Sequence, residues 1–159
     1  YLLDIIQKDL LGTIFQEHHS YHSIIPLVKF FDKFDMEIID VSRNNIQGGS
    51  LIGVVQFKNG IYKKNDSVTE ILQLENENKI CEIETFKIFS ENLKNTKKNI
   101  KELIQNIQND KKIIAGFGAA RSGTTLISQM EIGKSIKYIV DDNQSKQGKY
   151  SPNDVRVEY

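Results

Sequence analysis

The spacing of apolar residues along the chain predicts an alternation of helices and short strands. Apolar positions recurring at threes and fours predict helices over residues 1–11, 24–34, 68–75 and 84–109. Short apolar runs predict strands over residues 37–41, 51–57, 113–115 and 136–140. A turn cluster at 44–50 contains two adjacent glycines and separates the first two strands. The chain therefore reads as an α/β protein.

Residues 112–127 are the segment with the strongest local signal. The run 113–115 is apolar without helical spacing, which predicts a strand buried on both faces. Gly116, Gly118 and Gly123 follow, and a helix is predicted to open at Thr124. Glycines allow a sharp turn and a close approach to bare backbone, and a helix N-terminus favours anions. A strand, a glycine turn and a helix N-terminus together predict an anion site, most often for phosphate.

The strand predicted over 136–140 completes a βαβ unit and ends in Asp141, where a ribose hydroxyl could bind. The spacing departs from the dinucleotide fingerprint, because Arg121 stands where the third glycine is expected and Gly123 comes two residues later. A phosphate or a nucleotide of another kind is therefore favoured over NAD. Lys146 and Lys149 lie in the next loop, on the ligand side of such a sheet, although simple solvation explains each of them equally well.

Composition excludes several classes of protein. The 159 residues carry 21 basic and 21 acidic side chains, so no net charge attracts nucleic acid or an anionic membrane. No apolar run approaches the roughly 20 residues of a membrane helix. The single Cys81 excludes an internal disulfide and a cysteine-built zinc site. We expect a cytoplasmic protein with one domain spanning residues 1–159. Because the chain begins at Tyr1, we expect it to be a piece of a longer protein.

All three histidines lie between residues 13 and 23, together with Glu17 and Tyr21. A polar turn capped by Ser23 before the next helix would explain them without chemistry. A metal site would need convergence of two or three ligands, which His18 and His22 could provide only if the segment were helical. Acid–base chemistry or substrate binding is the interpretation we favour.

Four segments resemble the C-terminal domain of the sugar-nucleotide C-methyltransferases. Residues 14–21 (IFQEHHSY) resemble that family's YHEHLSY segment, and residues 47–51 (QGGSL) resemble its HGGSL. Residues 116–126 (GFGAARSGTTL) are similar to its GYGAAAKGNTL. Residues 141–150 (DDNQSKQGKY) are similar to its DRNPxKQGRY. The order and spacing of these segments agree over nearly the whole chain.

The resemblance implies a Rossmann-like three-layer sandwich with a mostly parallel sheet and helices on both faces. It also implies a parent enzyme that methylates the carbon next to the ketone of a 4-keto-deoxy sugar on a nucleoside diphosphate, usually dTDP. That family carries a zinc-binding module and an S-adenosylmethionine (SAM) domain upstream, and neither is present in this chain. We therefore expect zinc and SAM to be bound only by the longer protein, and this piece to be inactive alone.

The family implies roles for individual residues. His18 would be the base that enolises the sugar, and Glu17 would be its catalytic neighbour. The implied substrate-binding residues are Tyr21, Gly48, Gly49, Ser50, Gly116, Gly118, Ala119, Arg121, Ser122, Gly123, Asp141 and Lys146. The chain departs from the family pattern at Phe15, where the family has a tyrosine, at Gln16, where it has a histidine, and at Ser122, where it has a lysine. No metal ligand is expected within the chain.

Two alternatives stay open. The chain could be a nucleotide-sugar binding module that has lost the reaction, which the loss of a tyrosine hydroxyl at Phe15 would fit. It could instead be an NAD-dependent sugar epimerase or dehydratase. That class needs a Tyr-x-x-x-Lys pair, a spacing that Tyr62 and its neighbouring lysines do not supply.

Overall fold

Two units make up the chain in the computed structural model, which describes residues 1–159. The first contains Tyr1–Leu10 and His18–Ser90, and the second contains Leu11–Glu17 and Glu91–Tyr159. The helices are α1 (Leu2–Gln7), α2 (Ile24–Asp32), α3 (Asp66–Glu77), α4 (Ile83–Asn109) and α5 (Arg121–Met130). The strands are β1 (Met36–Asn44), β2 (Ser50–Phe57), β3 (Ile114–Phe117), β4 (Ile136–Val140) and β5 (Val157–Glu158).

The first unit is built on an antiparallel pair of strands, β1 and β2. Helices α2 and α3 pack against β1, and the core between them consists of Ile24, Ile38, Val41, Val68 and Ile71. Burial alternates imperfectly along β1 because the register shifts between Ile38 and Asp40. Burying these branched side chains against one face of the pair provides the main stabilisation of the unit.

Glu75 of α3 accepts hydrogen bonds from the backbone amides at the N-terminus of α2. Its side chain is fully buried and accepts hydrogen bonds from the backbone N–H groups of Ile24 and Ile25 at 2.6 and 2.8 Å. The Tyr1 hydroxyl donates a third bond at 2.8 Å, and burial followed by this bond raises the pKa of the Tyr1 phenol. Ser23 occupies the cap position but makes no side-chain cap bond. Glu75, distant in sequence, thus caps the N-terminus of α2, a role that the sequence predicts for Ser23.

The second unit contains a parallel three-stranded sheet in the order β3–β4–β5. Helix α5 connects β3 to β4, which confirms the predicted βαβ unit. Central strand β4 buries Ile139, and the strand-like end of the chain buries Val155 and Val157. The C-terminus of α5 is held by Glu131, which pairs with Lys97 and Lys101 of α4, each at 2.5 Å.

The predicted Rossmann-like three-layer sandwich with a mostly parallel sheet is wrong. The structure is α/β, but its five strands form a two-stranded antiparallel sheet and a separate three-stranded parallel sheet. The physical reason lies in the connection between β1 and β2. Only residues 45–49 join them, whereas parallel neighbours need a crossover of about a dozen residues or more. The two strands therefore form a hairpin of their own.

Strand β3 is also less buried than the sequence predicts. The interpretation of residues 113–115 as a strand buried on both faces is wrong, since Ile113 is 63% exposed and burial alternates along β3. The strand lies at an edge of the sheet, and Phe117 at its end is 85% exposed. Helix α5 begins at Arg121, three residues before the predicted start at Thr124. None of the helices has the length and apolar character needed to cross a membrane.

Candidate functional site

The end of β3 and the glycine turn that joins it to α5 each contain a glycine with a distinct requirement. A Cβ atom at Gly116 would lie 3.0 Å from the Ile139 side chain, closer than an ordinary van der Waals contact, so the absence of a side chain there eases the packing of β3 against β4. Gly118 has a φ of +87°, a left-handed conformation that other residues adopt at a cost. The chain then enters α5 through Ala120, whose side chain cannot cap the helix. The turn leaves the first backbone amides of α5 without a side-chain acceptor.

Asp141, at the end of β4, fixes this turn in place. Its Oδ2 accepts hydrogen bonds from the Ala119 N–H at 2.7 Å and from Lys146 Nζ at 3.0 Å. Its Oδ1 accepts the Asn143 N–H at 2.8 Å. The bond from Asn143, and then that from Lys146, hold the pKa of Asp141 below its usual range although burial acts in the opposite direction. The carboxylate is therefore engaged by the protein itself.

A cavity of about 420 Å³ opens beside the glycine turn, entirely within the second unit. One part of its wall is the turn and the first half of α5, and the other is the loop that follows β4. The lining residues are Gln16, Gly118, Ala119, Ala120, Arg121, Gly123, Thr124, Ile127, Ile139, Ser145, Lys146, Lys149, Tyr150, Ser151, Pro152 and Val157. Its volume falls within the range of small-ligand sites, and cations, hydroxyls and apolar surface all contribute to the wall.

Five predicted substrate-binding residues line this cavity. They are Gly118, Ala119, Arg121, Gly123 and Lys146. Gly116, Ser122 and Asp141 belong to the same turn, helix and loop but do not reach the wall, and Asp141 acts through Ala119 and Lys146. Lys149, for which the sequence analysis left ligand binding and simple solvation open, lines the cavity, and so does Tyr150, which the sequence analysis did not name as substrate-binding. The available signal was their position in the loop that follows a parallel strand, where ligand contacts concentrate.

Arg121 forms an ion pair with Glu17. The two residues are 71% and 48% exposed, and both belong to the second unit. The guanidinium of Arg121 thus already has a carboxylate partner. Glu17 is the last residue before the chain passes into the first unit at His18. The ion pair therefore fastens the residue next to His18 to the first turn of α5.

The histidine segment is not helical, so His18 and His22 do not share a helix face. His18 and Tyr21 form an edge-to-face pair, with 6.4 Å between ring centroids. His18 and His19 are exposed, which leaves both imidazoles accessible. The structure contains no group of three or more His, Cys, Asp or Glu side chains placed to hold a metal ion.

Gly48, Gly49 and Ser50 lie in the first unit, where the two glycines pack against α1 and the residues after it. Gly49 has a φ of +152°, and a Cβ atom there would lie 2.1 Å from the Asp4 carboxylate carbon. Asp4 is fully buried and accepts a pair of hydrogen bonds from Arg43 at 2.7 and 3.1 Å. Burial acts to raise the pKa of Asp4, but the bonds from Arg43 and Lys8 lower it below its usual range.

The adjacent residues have similar internal contacts. The Gly48 carbonyl accepts a bond from Lys8 Nζ at 2.6 Å, and Ser50 Oγ donates to the Ile46 carbonyl at 2.9 Å. The two glycines therefore have a packing requirement within the first unit. Substrate contact by residues 48–50 stays a prediction from the sequence.

Comparison with known proteins identifies the family. The sequence profile of the C-methyltransferase C-terminal domain matches residues 45–155, and the chain belongs to that family. The chain is also similar to the C-methyltransferase NovU of Streptomyces niveus, with 29% identity over 153 residues. That alignment covers 96% of this chain and 36% of the relative, so the chain spans about a third of the relative's length. The resemblance to C-methyltransferase C-terminal domains is confirmed.

Proposed function

We propose that the chain is the nucleotide-sugar-binding part of a SAM-dependent C-methyltransferase that acts on a 4-keto-deoxy sugar. The observation that carries this proposal is the cavity beside the glycine turn, whose lining residues, apart from Gln16 and Val157, lie within the range 45–155 that matches the family. Backbone amides at the start of α5 and an ammonium group in the following loop offer donors to phosphate oxygens. Tyr150, Pro152 and Val157 offer apolar surface to a base or a sugar.

A dinucleotide fits this cavity poorly. In Rossmann-type sites an acidic residue at a strand end binds the ribose hydroxyls. Asp141 has that position, but its carboxylate accepts three hydrogen bonds from Ala119, Asn143 and Lys146. The same argument applies to the ribose of SAM. We therefore assign methyl-donor binding to a region outside this chain, in keeping with the share of the relative that the chain covers.

The role that we assign to His18 follows from the chemistry of the reaction. A carbon next to a ketone becomes nucleophilic when it loses a proton, and a base that titrates near neutral pH removes that proton most effectively. His18 would accept it, and the enolate carbon would then bond to the methyl group of SAM as the methyl–sulfur bond breaks and the sulfonium becomes a neutral thioether. Glu17, held by Arg121, would keep the adjacent backbone in place.

The test uses a protein that carries this chain together with its methyl-donor region. We expect His18→Asn to lower turnover about 10²–10⁴-fold while substrate affinity stays within a few-fold. Asparagine keeps a polar edge but cannot accept a proton near neutral pH. The matched variants His19→Asn and His22→Asn should lower turnover much less than His18→Asn.

Solvent deuterium exchange at the carbon next to the ketone follows enolisation without methyl transfer. Wild-type exchange rates in His18→Asn would show that His18 is not the base. A wild-type protein that neither exchanges nor methylates any 4-keto sugar nucleotide, yet binds one, would instead be a non-catalytic binding module. Phe15, which replaces a family tyrosine, makes that second outcome worth the measurement.

A further inference from the structure

Three cationic side chains line the cavity of the second unit, and they differ in whether a carboxylate neutralises them. Arg121 pairs with Glu17, and Lys146 pairs with Asp141 at 3.0 Å. Lys149 has no ion-pair partner, although the chain contains 21 acidic side chains. The wall therefore carries one uncompensated positive charge.

The backbone around Lys149 is held in place. Its N–H donates to the Lys146 carbonyl at 3.2 Å, and its own carbonyl accepts the Val157 N–H at 2.8 Å. The Gly148 N–H donates to the Val157 carbonyl at 2.9 Å, so the residues on both sides of the peptide are anchored to the end of the sheet. The lysine side chain adds a four-carbon stem with several rotatable bonds to this anchored backbone. A fixed backbone with a mobile ammonium group suits the capture of an anionic ligand.

From this charge distribution, and resting on the proposed function, we infer that Lys149 is the side chain that neutralises the diphosphate of the bound nucleotide. Arg121 and Lys146 are positioning residues in this scheme. Arg121 holds Glu17, and Lys146 helps Asp141 to hold the Ala119 amide. Moving Lys146 to a phosphate would remove one of the three donors from the largely buried Asp141 carboxylate, and moving Arg121 would release the exposed Glu17 carboxylate. Lys149 gains a partner without losing one.

The experiment is a calorimetric titration of the 159-residue chain with dTDP at low and moderate salt. We expect Lys149→Ala to weaken dTDP binding about tenfold or more, since a charge-assisted contact to phosphate is lost. The affinity of this variant should also depend less on salt than that of the wild type. Lys149→Arg should retain most of the affinity. Lys134→Ala removes an exposed lysine outside the cavity and should change neither the affinity for dTDP nor its dependence on salt.

The outcomes are separable. If Lys149→Ala binds dTDP like the wild type while Arg121→Ala or Lys146→Ala loses tenfold, the inference is overturned and the nucleotide site stands. If the wild-type chain binds neither dTDP nor UDP, the nucleotide site of the proposed function is overturned, and the role of Lys149 with it. Circular dichroism of each variant verifies that a lost affinity reflects the cavity and not unfolding.

Discussion

Asp141 accepts a hydrogen bond from the backbone N–H of Ala119 at 2.7 Å, across 22 positions of the sequence. This bond ties the end of β4 to the glycine turn that follows β3, two strands that are hydrogen-bonded neighbours. The same oxygen accepts Lys146 Nζ, so one carboxylate sets the position of both walls of the cavity. In the sequence, Asp141 has the position of a ribose-binding acid. In the structure, its carboxylate holds the glycine turn in place.

The first prediction concerns the acid stability that this arrangement confers. The pKa of Asp141 is lowered from its ordinary value of 3.8. A carboxylate with a lowered pKa in the folded state contributes stability above its unfolded pKa, and loses it as the pH falls through the folded value. We expect Asp141→Asn to lower the urea midpoint at pH 6. The difference from wild type should begin to shrink below about pH 4, where Asp141 of the unfolded state takes up a proton, and should be lost as the pH falls through the lower pKa of the folded state.

Urea titrations of both proteins at several pH values between 6 and 2.5 measure this difference. The other carboxylates titrate in both proteins, so subtracting the two curves isolates Asp141. A difference that stayed constant down to pH 2.5 would show that the charge of Asp141 does not hold the turn. Asp142→Asn is the matched control. It removes an exposed carboxylate next to Asp141, so it should leave the urea midpoint unchanged.

A second prediction separates packing from substrate contact at the two adjacent glycines. Gly49→Ala should lower the free energy of unfolding by about 3 kcal/mol or more. The new methyl group overlaps the buried Asp4 carboxylate, and the positive φ adds strain. Gly53→Ala is the control, since nothing lies within 4 Å of a Cβ atom there. Chemical denaturation measures both, and equal stability of the two variants would contradict the packing role.

The third prediction concerns Glu75, the buried carboxylate that caps α2. Glu75→Ala leaves the amides of Ile24 and Ile25 buried without an acceptor, so we expect a loss of about 3 kcal/mol in the free energy of unfolding. Glu77→Ala, two residues further along the same helix, removes an exposed carboxylate and should cost less than about 0.5 kcal/mol. Urea denaturation compares them. Similar losses in the two variants would rule out capping by Glu75.

The sequence predicted the second unit well because its signals are local. A short apolar run, three glycines and a second apolar run specify a strand, a turn and a parallel strand within about 30 residues, and β3, α5 and β4 follow that order. The family resemblance extended this reading to the cavity, where five of the predicted residues line the wall.

The sequence could not reveal contacts between distant residues. Whether β1 and β2 join the sheet of β3 depends on tertiary pairing, which apolar spacing does not encode. Asp141 has the composition and position of a ligand-binding acid, and only the coordinates show that Ala119, Asn143 and Lys146 already occupy its oxygens. Glu17 and Arg121 are 104 positions apart, so the sequence could not predict that they pair with each other.

The central claim is that the cavity beside the glycine turn binds a nucleoside diphosphate. Titrating the isotopically labelled chain with dTDP while recording backbone amide spectra tests it most directly. We predict that the shifted amides cluster in residues 118–124 and 145–152, and that SAM and NAD produce no such cluster. Shifts caused by SAM or NAD in place of dTDP and UDP, or shifts that avoid both segments, would contradict the claim.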